Sequence, residues 1–145
     1  EEVSTNNKQY IKLDIDMVND ELNNMINKTV NNFYSSSFKA LNNKDKNIIS
    51  GATEEVKELV YNYINKKAFL LSNNYEITDL DVEIEKSDFK CENNIYKASL
   101  VTRVDYSIYK KILPFVKDSN ESSFILNLEY QEGEFIIKGI QKIDI

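Results

Sequence analysis

Apolar positions repeat along the first half of the chain with a helical period. Val18, Leu22, Met25, Ile26, Thr29, Val30 and Phe33, then less regularly Leu41, form one stripe. The i, i+3, i+4, i+7 spacing predicts an amphipathic helix from about Asp16 to Asn42. Its opposite face carries Asn23, Asn24, Asn27, Lys28, Asn31 and Asn32 and is solvated. Ser35-Ser36-Ser37 is expected to loosen or kink the helix before Phe38, because hydroxyl side chains compete for backbone bonds. The run NNKDKN (42–47) is a polar break. A second helix follows, with Thr53 or Ser50 as N-cap and Glu54 and Glu55 at the end that favours negative charge. Its stripe is Val56, Leu59, Val60, Tyr63 and Ile64, then Phe69 and Leu70. Lys66 and Lys67 stand near its C-terminus, and SNNY (72–75) stops it.

Beyond that point the period changes to two. Leu80, Val82 and Ile84 alternate with Asp81, Glu83 and Glu85 in a strand. KSDFKCENN (86–94) reads as a hairpin connection, with Phe89 and Cys91 inside a short strand. Ile95 to Tyr109 is a long strand with two distinct faces. Tyr96, Ala98, Leu100, Thr102, Val104, Tyr106 and Ile108 make one. Lys97, Ser99, Val101, Arg103, Asp105, Ser107 and Tyr109 make the other. Lys110 to Asn120 reads as a loop holding Pro114, the only proline. Ser123 to Tyr130 and Phe135 to Ile143 form the last hairpin, turning at Gln131-Glu132-Gly133-Glu134 where Gly133 supplies a positive φ. Gly139 inside the final strand marks a bulge or a close approach. Helices first and hairpin-connected strands afterwards define an α+β fold: two N-terminal helices packed on a curved antiparallel sheet of four to five strands. Residues 1–14 read as an extended leader, anchored at most near Tyr10, Ile11 and Leu13, and residues 15–145 as a single domain.

Composition narrows the chemistry. The 145 residues suit one domain with a real core. A net charge of −6, with Lys spread among Asp and Glu, argues against a nucleic-acid partner. Asn and Lys are abundant and Arg103 is the only Arg, a bias that fits an AT-rich genome such as that of a low-GC Gram-positive bacterium. There is no His, which removes the commonest general base, the commonest zinc ligand and every Ser-His or Cys-His nucleophile. Cys91 is the only Cys, so neither an internal disulfide nor a Cys-pair zinc site exists. No cofactor or metal motif is present. No run approaches the length of a membrane span, and no signal peptide is seen. The polar, acidic opening EEVSTNNKQY lacks an initiator Met, as in a mature or trimmed chain. The expectation is therefore an extracellular or cell-envelope protein whose signal or anchor has been removed, touching membrane only through that anchor.

The order of elements, with the closing motif EGEFIIKGI (132–140), resembles the cone-shaped, cystatin-like fold of the nuclear transport factor 2-like superfamily. Many members end on Asp-Gly-x-Trp-Lys-Ile; here Phe135 stands where Trp is common and Lys138 comes one position late. The resemblance covers most of residues 16–145. It implies a ligand site, where there is one, at the mouth of the cone, with a carboxylate, Tyr or His in the enzymes. It equally implies many non-catalytic binding or assembly modules, some of them in exported Gram-positive proteins, and fold alone does not choose between them.

The candidate pocket residues are Arg103, Asp105, Tyr106 and Tyr109. In a functional reading Asp105 is a general base or ligand contact and Tyr106 or Tyr109 a proton donor. The plainer reading is an exposed Arg103–Asp105 pair with tyrosines at the core edge, and the outward alternation of the acids favours it. Asp79, Asp81, Glu83 and Glu85 could hold a hard cation but lack the ligand pattern of a calcium loop, so they read as a solvated strand face. Asp14, Asp16, Asp20 and Glu21 suit a helix N-terminus. Cys91 reads as a quiet, half-buried thiol. Ile112, Leu113, Phe115 and Val116 either pack under the sheet end as a lid or form a partner-binding patch; packing is preferred.

These observations lead to one expectation: a non-catalytic accessory or assembly domain of an exported or cell-surface bacterial protein. Its partner would be another protein or a neighbouring domain. The alternative is a small-molecule-binding or isomerase-like protein using the cone. A third possibility is a homodimer through the outer sheet face.

Overall fold

The computed structural model describes residues 15–69, 75–110 and 116–143, without the side chains of 15–19, 67–69 and 116. The expected leader at 1–14, Leu70 and the apolar residues Ile112, Leu113 and Phe115 lie outside the described residues, as does the side chain of Val116.

Helix α1 spans Ile15–Asn43. Leu22, Ile26, Val30, Phe33, Tyr34, Ser37, Phe38 and Leu41 are buried along one side, and the predicted Asn-rich side is exposed. The expected loosening at Ser35–Ser37 does not interrupt the helix. The Ser36 and Ser37 hydroxyls both donate to the Phe33 carbonyl, at 3.0 and 2.7 Å, so they bond within the helix instead of against it. The helix ends in a Schellman arrangement: Lys44 sits at φ 57, its N–H donates to Leu41 O at 3.3 Å, and Asp45 N–H donates to Ala40 O at 2.9 Å.

A short 3-10 turn, Lys46–Ile48, leads to helix α2, Glu54–Phe69. Thr53 is the N-cap, its Oγ1 accepting from Val56 N–H at 3.4 Å; Ser50 instead docks on Ser36 of α1. Val56, Val60 and Ile64 are buried at i, i+4, i+8. Leu59, expected in the same stripe, is 51 % exposed. At 3.6 residues per turn it lies about 100° around the helix from Val60, on the side opposite Tyr61, which packs against the core.

Four strands form one antiparallel meander in the order β1-β2-β3-β4: β1 Tyr75–Glu92, β2 Ile95–Lys110, β3 Val116–Gln131 and β4 Glu134–Ile143. Two expected loops are corrected. Residues 86–92 are not a connection but the regular far half of β1, and the turn is only Asn93-Asn94, both at positive φ (54 and 65). Asn tolerates that region best after Gly, and two such residues make the hairpin turn that suits the sheet twist. Likewise 116–120 belongs to β3, paired with β2 from Val116↔Lys110 onward. Glu132 and Gly133 turn the last hairpin at φ 49 and 89. The β3–β4 register slips between Asn127 and Leu128, a bulge beside Gly139 as its place in the strand suggested. The loop before α2 adds one short parallel bridge, Ala52↔Ile137, which covers part of the β4 edge.

The two helices lie on the inner face of the sheet, where Ala98, Leu100, Val104, Tyr106, Ile108, Phe124, Leu126, Leu128, Phe135 and Ile137 join the helix stripes in one core. The expected α+β architecture of two helices on an antiparallel sheet is the one observed, with four strands.

Candidate functional site

Strand alternation decides which side chains can meet. On β2 the even-numbered residues face the helices and the odd-numbered ones face outward. Arg103, Asp105 and Tyr109 are therefore outward, and Tyr106 is inward. Its hydroxyl lies 3.1 Å from Ser122 Oγ, its ring meets Phe38 edge-on at 5.0 Å, and burial pushes its pKa up. Asp105 and Tyr106 border one open depression of about 390 Å³ with Asp79, Ser107, Ser119, Asn120 and Glu121. The Tyr106 hydroxyl is turned to the opposite side of the sheet from the Asp105 carboxylate. The four sequence candidates do not converge on one reacting point.

The inner face is filled. Tyr34 contacts Phe33 and Phe124, and Tyr63 meets Phe124 edge-on at 5.6 Å. The Tyr34 hydroxyl is 2.7 Å from Thr102 Oγ1, which in turn donates to the Phe124 carbonyl at 3.0 Å. Burial raises the Tyr34 pKa and this bond lowers it less. Among the described residues the buried polar side chains are Ser37, Thr102, Ser107, Ser122 and Ser123, with no Asp or Glu. General acid–base chemistry of the kind these enzymes use needs a carboxylate held among apolar groups, and the inner face offers hydroxyls already engaged.

The outer face carries the charge. Arg103 bonds Glu83 through Nη2, Glu85 through Nη1 at 3.2 Å, and approaches Asp105 from Nε at 3.4 Å. Glu83 is the main cause of the upward shift in its pKa. The sequence pairs Arg103 only with Asp105. The β1 carboxylates join because Glu83 stands directly across from Arg103 in the sheet. Asp79, at φ 57 where β1 bulges, receives Lys117 at 2.6 Å, and that bond is the largest cause holding its carboxyl below the ordinary value. The acidic strand is thus a solvated face tied by Arg103 and Lys117, and no group of three or more metal-ligating side chains is found among the described residues. Tyr109 is half-buried across from Glu76 and Lys117. Cys91 is fully on the surface, not half-buried, because it lies near the tip of the β1–β2 hairpin. Beside these charges, on the same outer side, Val101 and its cross-strand neighbour Ile125 are half-buried, as is Ile143 across from Ser123.

A helical pair seated on one face of an antiparallel meander, with a Gly-centred closing hairpin and an aromatic-filled interior, defines an NTF2-like α+β domain. More narrowly, the model of the YvbJ NTF2-like domain family matches residues 26–141, and the chain belongs to that family. No curated protein matches the chain.

Proposed function

We propose that this domain is a non-catalytic accessory or assembly unit of an exported or cell-surface protein, and that it works through its outer surfaces. The observation that carries the reading is the filled inner face. Tyr34, Phe33, Phe38, Tyr63 and Phe124 occupy the space where a cone would hold a ligand, and the hydroxyls there bond one another. The half-buried Val101, Ile125 and Ile143 beside the Arg103 cluster suit contact with another protein or a neighbouring domain, since apolar groups gain by being covered.

Two measurements test this reading. Asp105→Asn, on the outer face, changes stability by no more than about 0.5 kcal/mol, and no small-molecule binding or turnover depends on it. A ligand whose binding is lost with Asp105→Asn in a folded variant would replace this reading with the small-molecule or isomerase-like one. Protease treatment of intact cells expressing the full gene product cleaves the domain; protection until lysis would refute export.

A further inference from the structure

We propose that the far half of β1, Lys86–Glu92, pairs antiparallel with the same segment of a second copy, about a two-fold axis through Phe89.

β1 is an 18-residue strand at the sheet edge, and its two halves differ. The first half is guarded. The Asn42 side chain makes both backbone bonds to Ile77, accepting from its N–H at 2.7 Å and donating to its carbonyl at 3.0 Å, as a neighbouring strand would. Register breaks follow between Thr78 and Asp81 and between Ile84 and Lys86, and Asp81, Glu83 and Glu85 are exposed there. Bulges, charges and side-chain caps are the devices by which sheets keep edges from pairing. From Lys86 on the bulges and the side-chain cap stop, and only charges of alternating sign remain. Lys86 to Glu92 runs in unbroken register with β2, every residue except half-buried Phe89 is exposed, and among the described residues no strand lies against its outer edge.

The segment reads Lys-Ser-Asp-Phe-Lys-Cys-Glu. Lys86, Asp88, Lys90 and Glu92 share the outer face, and Ser87, Phe89 and Cys91 the inner one. Laid antiparallel on itself about Phe89, Lys86 faces Glu92 and Asp88 faces Lys90, each pair occurring twice. Phe89 faces Phe89, and Ser87 faces Cys91. A two-fold antiparallel pair keeps side chains on their proper faces only if the register moves in steps of two. Centring on Asp88 sets Asp88 against Asp88 and Lys86 against Lys90. Centring on Lys90 sets Lys90 against Lys90 and Asp88 against Glu92. Both put like charges directly opposite, which is destabilising. Centring on Ser87 or on Cys91 also sets a Lys against an acid, but pairs only three of the seven residues. The Phe89 register alone matches all four charges along the whole segment, and that self-complementarity selects a copy of this chain as the partner over an unrelated strand. Glu92 also pairs within its own chain, with Lys97 of β2 at 3.0 Å and with Lys90 at 3.7 Å, so the cross-copy pairs form partly in exchange for these. The product is a continuous eight-stranded sheet. A seven-residue edge is a small interface, so the dimer is weak, dependent on concentration and sensitive to salt. The proposal is independent of the accessory role above.

Sedimentation velocity on the full chain, from low micromolar to near-millimolar concentration, tests it. The wild type self-associates to a dimer. Asp88→Lys turns two attractive pairs into repulsive ones and weakens the dimer at least about tenfold. Adding Lys90→Asp to that variant restores the opposite-charge pattern and returns affinity to within about twofold of wild type. Ser87→Cys places its thiol across from Cys91 of the second copy, at the cross-strand spacing a disulfide requires, and yields a linked dimer on mild oxidation. Wild-type Cys91 faces Ser87 and links far more slowly. A monomer at every concentration overturns the proposal. So does a dimer indifferent to Asp88→Lys, failure of the double swap to rescue, or Ser87→Cys linking no faster than wild type.

Discussion

Replacing Thr102 with Val removes one hydroxyl at the centre of the inner face and disturbs two other groups. Tyr34 and Thr102 are both fully buried. A Thr hydroxyl has one proton, and here it goes to the Phe124 carbonyl at 3.0 Å; the 2.7 Å contact with Tyr34 is therefore donated by the tyrosine. Val keeps the shape and the β-branching that suit a strand, so packing is nearly unchanged. The Tyr34 O–H, however, loses its acceptor in a dry site, and the Phe124 carbonyl loses one donor. Stranding a buried donor costs about 2 kcal/mol. Tyr34→Phe is milder: Thr102 still donates to Phe124 and forfeits only the bond it accepts, a loss of about 1 kcal/mol. The double variant leaves no stranded donor and is less destabilised than Thr102→Val alone, a coupling of more than about 1 kcal/mol. Urea unfolding followed by far-ultraviolet circular dichroism gives all three values. If Tyr34→Phe costs as much as Thr102→Val, or the double variant equals the sum of the singles, the assigned donor direction is wrong.

Alkaline titration offers a second check. Burial pushes the Tyr75 pKa up to about 12 and raises those of Tyr34 and Tyr106 as well. The unfolded chain releases the same protons near pH 10, so stability is undiminished below that value and falls as pH rises through about 10 to 12. Phenolate absorbance should then show a late fraction that titrates with unfolding; complete ionisation in the folded state near pH 10 would contradict the burial. Glycine replacements separate turn strain from packing. Gly133→Ala, at φ +89, costs about 1 kcal/mol. Gly139→Ala, whose new Cβ would meet only the Asn127 side chain, Nδ2 at 3.4 Å and Cβ at 3.7 Å, is neutral or stabilising by up to about 0.5 kcal/mol. Equal thermal shifts for the two would refute that distinction.

Much of the fold is written in local pattern. A period of 3.6 marked both helices, and alternation separated the two faces of β2 before any pairing was known, because each face meets one solvent or one core along its whole length. Errors fell where a residue has two uses. The Ser36 and Ser37 hydroxyls, which in isolation suggest a weak point, bond within α1, and the polar alternation of 86–92, which suggests a loop, belongs to a strand exposed at a sheet edge. Leu59 is apolar and in period with the stripe, yet it stands on the side of α2 turned from the core, whereas Tyr61 on the opposite side is packed against it.

The chain order of helices, hairpins and turns, and the split of Asp105 from Tyr106 onto opposite faces, were thus determined by the sequence alone, since both follow from the backbone period of neighbouring residues. Other features needed the tertiary structure. The union of Arg103 with Glu83 and Glu85, the seat of Asn42 on Ile77, the Tyr34–Thr102–Phe124 chain and the open edge at Lys86–Glu92 all depend on which strand lies beside which and in what register. Register is chosen by the whole core at once, through contacts between residues far apart in the chain, and no local window of sequence contains that choice.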